Sequence, residues 1–138
     1  MYRRMVAKGI RLGYRRVVAG KPRLVVTLAA DDVAFTFPGD NSFAGTFHGK
    51  QELEGWLRRF ASLSPEFRIH DVLVAGPPWN TRVALTFSDA IGDDYRNRGM
   101  EYLRLRWGKL QQIDVYLNTE TLHDWEQRHP ELAAAGTT

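Results

Sequence analysis

The sequence predicts an α+β fold, with early helices packed on one face of a later, curved and mainly antiparallel sheet. Three observations carry that prediction. Apolar residues at helical spacing concentrate before residue 64. Period-two alternation then runs from 67 to 118 with only short interruptions. The 138 residues suffice for one sizeable core, so one domain is expected over 1–138, with 133–138 as a frayed tail. A curved sheet wrapped on helices encloses a conical cavity, a common kind of ligand site.

The first helix is expected over 3–19, because Val6, Ile10, Gly13 or Tyr14, and Val17 form one apolar stripe. Gly20 stops it, and Pro22 opens a short second helix over 23–30 that ends at Asp31-Asp32. Residues 33–37 form a strand, and Pro38 to Ser42 carries every breaker signal of a loop. Gly45 and Gly49 punctuate an irregular stretch over 43–49. A third helix over 51–63 turns Leu53, Trp56, Leu57 and Phe60 inward. Strands follow over 67–75 and 82–90, separated by Gly76-Pro77-Pro78-Trp79-Asn80, which cannot continue a ladder. Strands over 95–107 and 110–118 make a long hairpin, and a closing helix spans 120–129 up to Pro130.

Composition excludes several chemistries. There is no cysteine, which removes disulfides, thiolate nucleophiles and Cys-ligated zinc, and which suits a cytoplasmic protein. His48, His70, His123 and His129 show no ligand spacing, so no metal site is expected. No apolar run is long enough to cross a membrane, and no secretory signal is seen. The net charge is only +3, but eight basic residues and no acid fall in the first 23 positions. An anionic partner and the solvated face of an amphipathic helix both account for that run. Aromatic residues are not interleaved with it as a base-stacking platform requires, so no nucleic-acid or membrane partner is expected.

The one chemical lead lies in 101–119, a hairpin with Trp107-Gly108 at its turn, where glycine adopts positive φ freely. Glu101, Leu103 and Leu105 share one face of the first arm. On the second arm Asp114, Tyr116 and Asn118 share one face, and Ile113, Val115 and Leu117 the other. A register centred on the turn pairs residue 114 near 101–102, which would bring the two carboxylates together on a polar inner face. The aliphatic set would then form an outer, dimer-facing surface.

These segments, in their order, resemble the nuclear transport factor 2-like (cystatin-like) superfamily, and within it the SnoaL-like polyketide cyclase and ketosteroid isomerase branch. The resemblance spans roughly 3–118. It rests on Ala19-Gly20, Leu28 to Val33, Phe37-Pro38-Gly39, Phe43-Ala44-Gly45, His48-Gly49-Lys50, Arg106 to Leu110, and Asn118. It implies the curved sheet and cavity, frequent homodimers and no cofactor, and it implies no single reaction. Glu101 falls where steroid isomerases carry an acid that donates to the oxyanion. Their catalytic tyrosine falls near Gly13, beside Tyr14. Their general base falls on Phe37, and the Asp that many SnoaL-like members carry at the last strand is Asn118.

The expected site therefore has Glu101, Asp114 and Tyr116 as catalytic residues. Asn118, Tyr14, Phe37, His48, Trp56, Phe60 and Trp79 would contact a small hydrophobic ligand. Asn118 is equally suited to cap the closing helix, His48 to enter the third helix, and the aromatic residues to plain core. Two functions fit. One is a cofactor-independent isomerase or cyclase using carboxylate acid/base chemistry on a hydrophobic carbonyl compound. The other is a non-catalytic ligand-binding or protein-interaction module of the same fold.

Overall fold

A computed structural model describes residues 1–132, so the expected frayed tail at 133–138 lies outside the described residues. The helices are α1 (Tyr2–Val18), α2 (Arg23–Leu28), α3 (Gly49–Ser62) and α4 (Thr119–Arg128). The strands are β1 (Ala29–Phe37), β2 (Gly45–His48), β3 (Glu66–Ala75), β4 (Thr81–Ile91), β5 (Tyr95–Arg106) and β6 (Lys109–Leu117). They form one sheet in the order β2-β1-β6-β5-β4-β3, antiparallel throughout except for β1 beside β6. Helix α3 packs on β1 near one edge of the sheet and α1 on β3 at the other, and the two helices also touch each other. Both edges thus turn toward the same helical layer.

Two local expectations are corrected. Ala29 to Asp32 are strand and not the end of a helix. Ala29 is already extended, at ψ 147°, and its pairing with Leu110 on β6 outweighs the helical preference of alanine. The 43–49 stretch contains β2, which pairs with β1 from Ala34↔His48 to Phe37↔Gly45. So short a strand, bounded by glycines, leaves little periodic signal.

The largest correction concerns β6. The hairpin turn is at Trp107-Gly108, both at positive φ (52° and 78°), and Arg106 pairs with Lys109. Leu105 faces Leu110, but Arg104 faces Gln112, so Gln111 is an extra residue on β6. From there the register is displaced by one, and a one-residue displacement exchanges the faces of a strand. Glu101 consequently sits opposite Val115, and Asp114 opposite Tyr102. Ile113 and Val115 are buried in the core, so they form no outer dimer-facing surface. That outer surface instead carries Met100, Tyr102, Asp114 and Tyr116.

The N-terminal basic residues Arg3, Arg4, Lys8, Arg15 and Arg16 are exposed around the apolar stripe of α1. Arg11 is tied down. Its guanidinium donates to the carbonyls of Ile69 (3.0 Å) and His70 (2.9 Å), where the β3 register shifts between Ile69 and Val72. The broken ladder leaves those carbonyls in need of donors.

Gly99 faces the core on β5. A Cβ there would fall on the Tyr116 carbonyl oxygen and 2.9 Å from both the Phe87 ring and Leu117 Cβ. Replacing Gly99 with alanine should destabilise the fold by about 1–3 kcal/mol, as overpacking does. Urea unfolding of Gly99→Ala measures this, and an unchanged midpoint would show that the strand has room to give.

Candidate active site

Between the helices and the inner sheet face lies an apolar pocket of about 290 Å³. Its charged lining residues are Glu101 and Asp89. Alternation along β5 turns Tyr95, Asn97, Gly99, Glu101 and Leu103 to this side. Glu101 therefore lies between Leu85 and Val115 on the neighbouring strands and is only 5% exposed.

Tyr14 arrives from the apolar stripe of α1. Its neighbour Gly13 is buried with no side chain, and a Cβ there would lie 3.1 Å from Val25 on α2. The phenol ring stacks on Phe67 (centroids 5.3 Å apart, planes 6° apart), and Phe67 stacks on Phe87 (4.9 Å, 19°). This column of three rings is accommodated by the missing side chain of Gly99. It fixes the place of the Tyr14 phenol oxygen, whose hydroxyl donates to Oε1 of Glu101.

Burial pushes the Glu101 carboxyl up to about 7, because the ionised form loses its hydration. The Tyr14 hydrogen bond opposes that rise, and the charge of Asp89 adds to it. Tyr14 is itself raised well above the ordinary phenol value, first by burial and then by the Glu101 charge, so it stays protonated. A carboxyl ionising near neutrality beside a permanent hydroxyl donor can accept a proton from, or return one to, a polarised carbonyl compound.

Asp89 completes the polar part of the pocket. It lies on β4 opposite Asn97, and its Oδ1 is buried without a hydrogen-bond partner among the described residues. Burial raises its carboxyl to about 6, opposed by its own backbone amide. The neighbouring Tyr95 hydroxyl accepts from Asn97 Nδ2 at 3.0 Å, and burial and then the Asp89 charge raise its titration. Sequence reasoning missed Asp89. The signal was present, since Asp89 continues the inward parity of Val83, Leu85 and Phe87. An acid on the buried side of a strand needs an explanation.

Of the residues expected to form the site, Glu101, Tyr14, Phe37, Trp56 and Phe60 line this pocket. Trp56 donates its Nε1 to the Phe43 carbonyl (3.0 Å), so it presents only its ring face. The other five do not join them. Asp114 is on the outer face, where Gln112 Nε2 donates to it at 2.5 Å. Tyr116 is 59% exposed on the same face. Asn118 caps α4, its side chain accepting from the Thr121 amide at 3.1 Å. His48 is exposed at the entry of α3, where its amide donates to Glu52 at 3.0 Å. Trp79 is 57% exposed and packs on Trp107 of the hairpin turn, with ring centroids 5.8 Å apart. The displaced register removes Asp114 and Tyr116, and helix and turn geometry account for the rest.

The sequence pattern described as the SnoaL-like domain matches residues 10–113. The chain belongs to the SnoaL-like domain family. No curated protein matches the sequence. Among solved structures, this SnoaL-like domain is similar to a steroid delta-isomerase from Pseudomonas aeruginosa (TM-score 0.68, 16% identity, 94% of this chain and 93% of that one). It is also similar to an NTF2-like protein from Burkholderia xenovorans (TM-score 0.65, 17% identity, 86% and 92%). A third is Bal32a from a soil-derived mobile gene cassette (TM-score 0.70, 14% identity, 92% and 98%). At such identities the likeness is one of fold. Among the described residues no helix is long and apolar enough to cross a membrane.

The Glu101 titration links to stability. Its folded value, about 7, lies above the unfolded 4.5. The contribution of this group is therefore fully retained below 4.5 and is lost as pH rises through about 7. Glu101→Gln keeps the acceptor for Tyr14 and removes the charge. It should gain up to about 3 kcal/mol over the parent at pH 8 and nothing at pH 4. Thermal unfolding at the two pH values checks this, and a variant destabilised at pH 8 would contradict it.

Proposed function

We propose that this SnoaL-like domain is a cofactor-independent enzyme that moves a proton at an enolisable carbon of a small hydrophobic carbonyl compound. The observation that carries the reading is the Tyr14 hydroxyl donating to the Glu101 carboxyl inside an apolar pocket. In the reaction the Tyr14 hydroxyl turns to the substrate carbonyl oxygen. The Glu101 carboxylate takes the α-proton, and the electron pair of the broken C–H bond moves onto that oxygen as an enolate. Return of the proton to carbon at the same or a conjugated position completes exchange or isomerisation. Desolvation strengthens both interactions as the substrate fills the pocket.

A second reading keeps the pocket and drops the chemistry. It is favoured by Phe37, an apolar wall residue at the position where the isomerases to which the sequence is similar carry their base.

Hydrogen–deuterium exchange at the α-carbon of 2-tetralone, followed by NMR, separates the two. The enzyme reading expects catalysed exchange that rises with pH through about 7 as the carboxylate form accumulates. Glu101→Gln should lower the rate on the order of 10²–10⁴-fold while 2-tetralone still binds. Binding without exchange in the parent protein would leave the ligand-binding module.

A further inference from the structure

The Tyr14–Glu101 pair accounts for one end of the pocket and leaves Asp89 unused. Across β4 and β5, Asp89 pairs with Asn97, and Glu101 stands four residues further along the same face of β5. At about 3.3 Å per residue the two positions are ~13 Å apart along the strand. Asp89 lines the pocket, and among the described residues none donates to its buried Oδ1. Phe67 lies opposite Asp89 on β3, and Phe87 and Ile91 precede and follow it on the inner face of β4. Such an acceptor is left unpaired only at a loss, because it gave up water on folding.

We infer that Asp89 is a specificity-determining residue that accepts a hydrogen bond from a hydroxyl group on the ligand, across the ligand skeleton from the carbonyl held at Tyr14 and Glu101. The inference rests on the pocket reading above and adds the chemical class of its ligand, a hydrophobic hydroxy-carbonyl compound. A hydroxyl suits the place better than an ammonium group. Apart from the Asn97 amide and the Tyr95 hydroxyl, the described residues around Asp89 carry no group that would pair with a cation, and a second charge would have to be stripped of water there. A carbonyl or ether oxygen at that end would be repelled, since it brings an acceptor to an acceptor. A plain hydrocarbon end would bring the Asp89 carboxyl no donor.

The test is calorimetric titration with three probes of one skeleton: 2-tetralone, 6-hydroxy-2-tetralone and 6-methoxy-2-tetralone. The hydroxy compound should bind at least about tenfold more tightly than both 2-tetralone, which lacks the hydroxyl, and the methoxy compound, which carries the oxygen without a donor. In Asp89→Leu that preference should vanish, with 2-tetralone bound as well as before or better. The ladder in the parent protein decides the matter alone if the variant does not fold. Equal affinities for all three probes, or a hydroxyl preference that survives in Asp89→Leu, overturn the inference while leaving exchange at Glu101 intact. A preference without any exchange leaves this inference standing and removes the enzymatic reading. Loss of exchange in Asp89→Leu with no hydroxyl preference makes Asp89 a proton acceptor and overturns its recognition role. Failure of the parent protein to bind any probe overturns both.

Discussion

One extra residue on one strand decides what surrounds Glu101. With Gln111 in the ladder, β6 would set its polar residues beside the carboxyl and turn its aliphatic ones to the outside. With Gln111 bulged, Val115 stands opposite Glu101 and the polar residues leave the interior. The same displacement makes the pocket apolar and strands the carboxyl in it. Everything proposed for the chemistry follows from that isolation, because burial among aliphatic side chains is the largest cause of the raised Glu101 titration.

Isolation alone would be a liability, and the helical layer limits it. Among the described residues Tyr14 supplies the one side-chain hydrogen bond that Glu101 receives, and its ring is held by rings stacked on β3 and β4. The far wall is braced separately. Buried Glu126 on α4 accepts from the Ser42 amide at 2.9 Å and from its hydroxyl. Arg59 on α3 donates to the Ser42 carbonyl at 2.8 Å and lies 3.9 Å over the Phe43 ring. This network ties the loop after β1 to two helices without using a polar group of the pocket. Preorganisation of that kind keeps donor and acceptor in place before a ligand arrives.

Much of this was legible in the residues. The α1 stripe, the hairpin turn and the inward face of β5 follow from spacing and from one glycine, and Glu101 emerged from them as the leading residue. Its neighbours on β6 differ from those the residue pattern predicts, for a definable reason. A bulge has no local signature in Leu110-Gln111-Gln112, and the parity of each arm is correct whether or not the bulge exists. Only the pairing between arms changes, and pairing is a property of the whole sheet. Asp89 is legible as well, since it extends the inward parity of Val83, Leu85 and Phe87 by one step. Trp79 shows the converse. Its large ring suggests a cavity wall, yet it packs on Trp107 of the tight turn, where Trp107 holds a positive φ.

The central claim is that Glu101 ionises in an apolar pocket under the control of Tyr14. It is tested most directly by following the Glu101 carboxyl carbon by NMR across a pH titration of the ligand-free protein. The account predicts a midpoint at about 7 that moves higher in Tyr14→Phe, since the phenol hydrogen bond favours the ionised form. A midpoint near the ordinary 4.5, unmoved by loss of the hydroxyl, would contradict it.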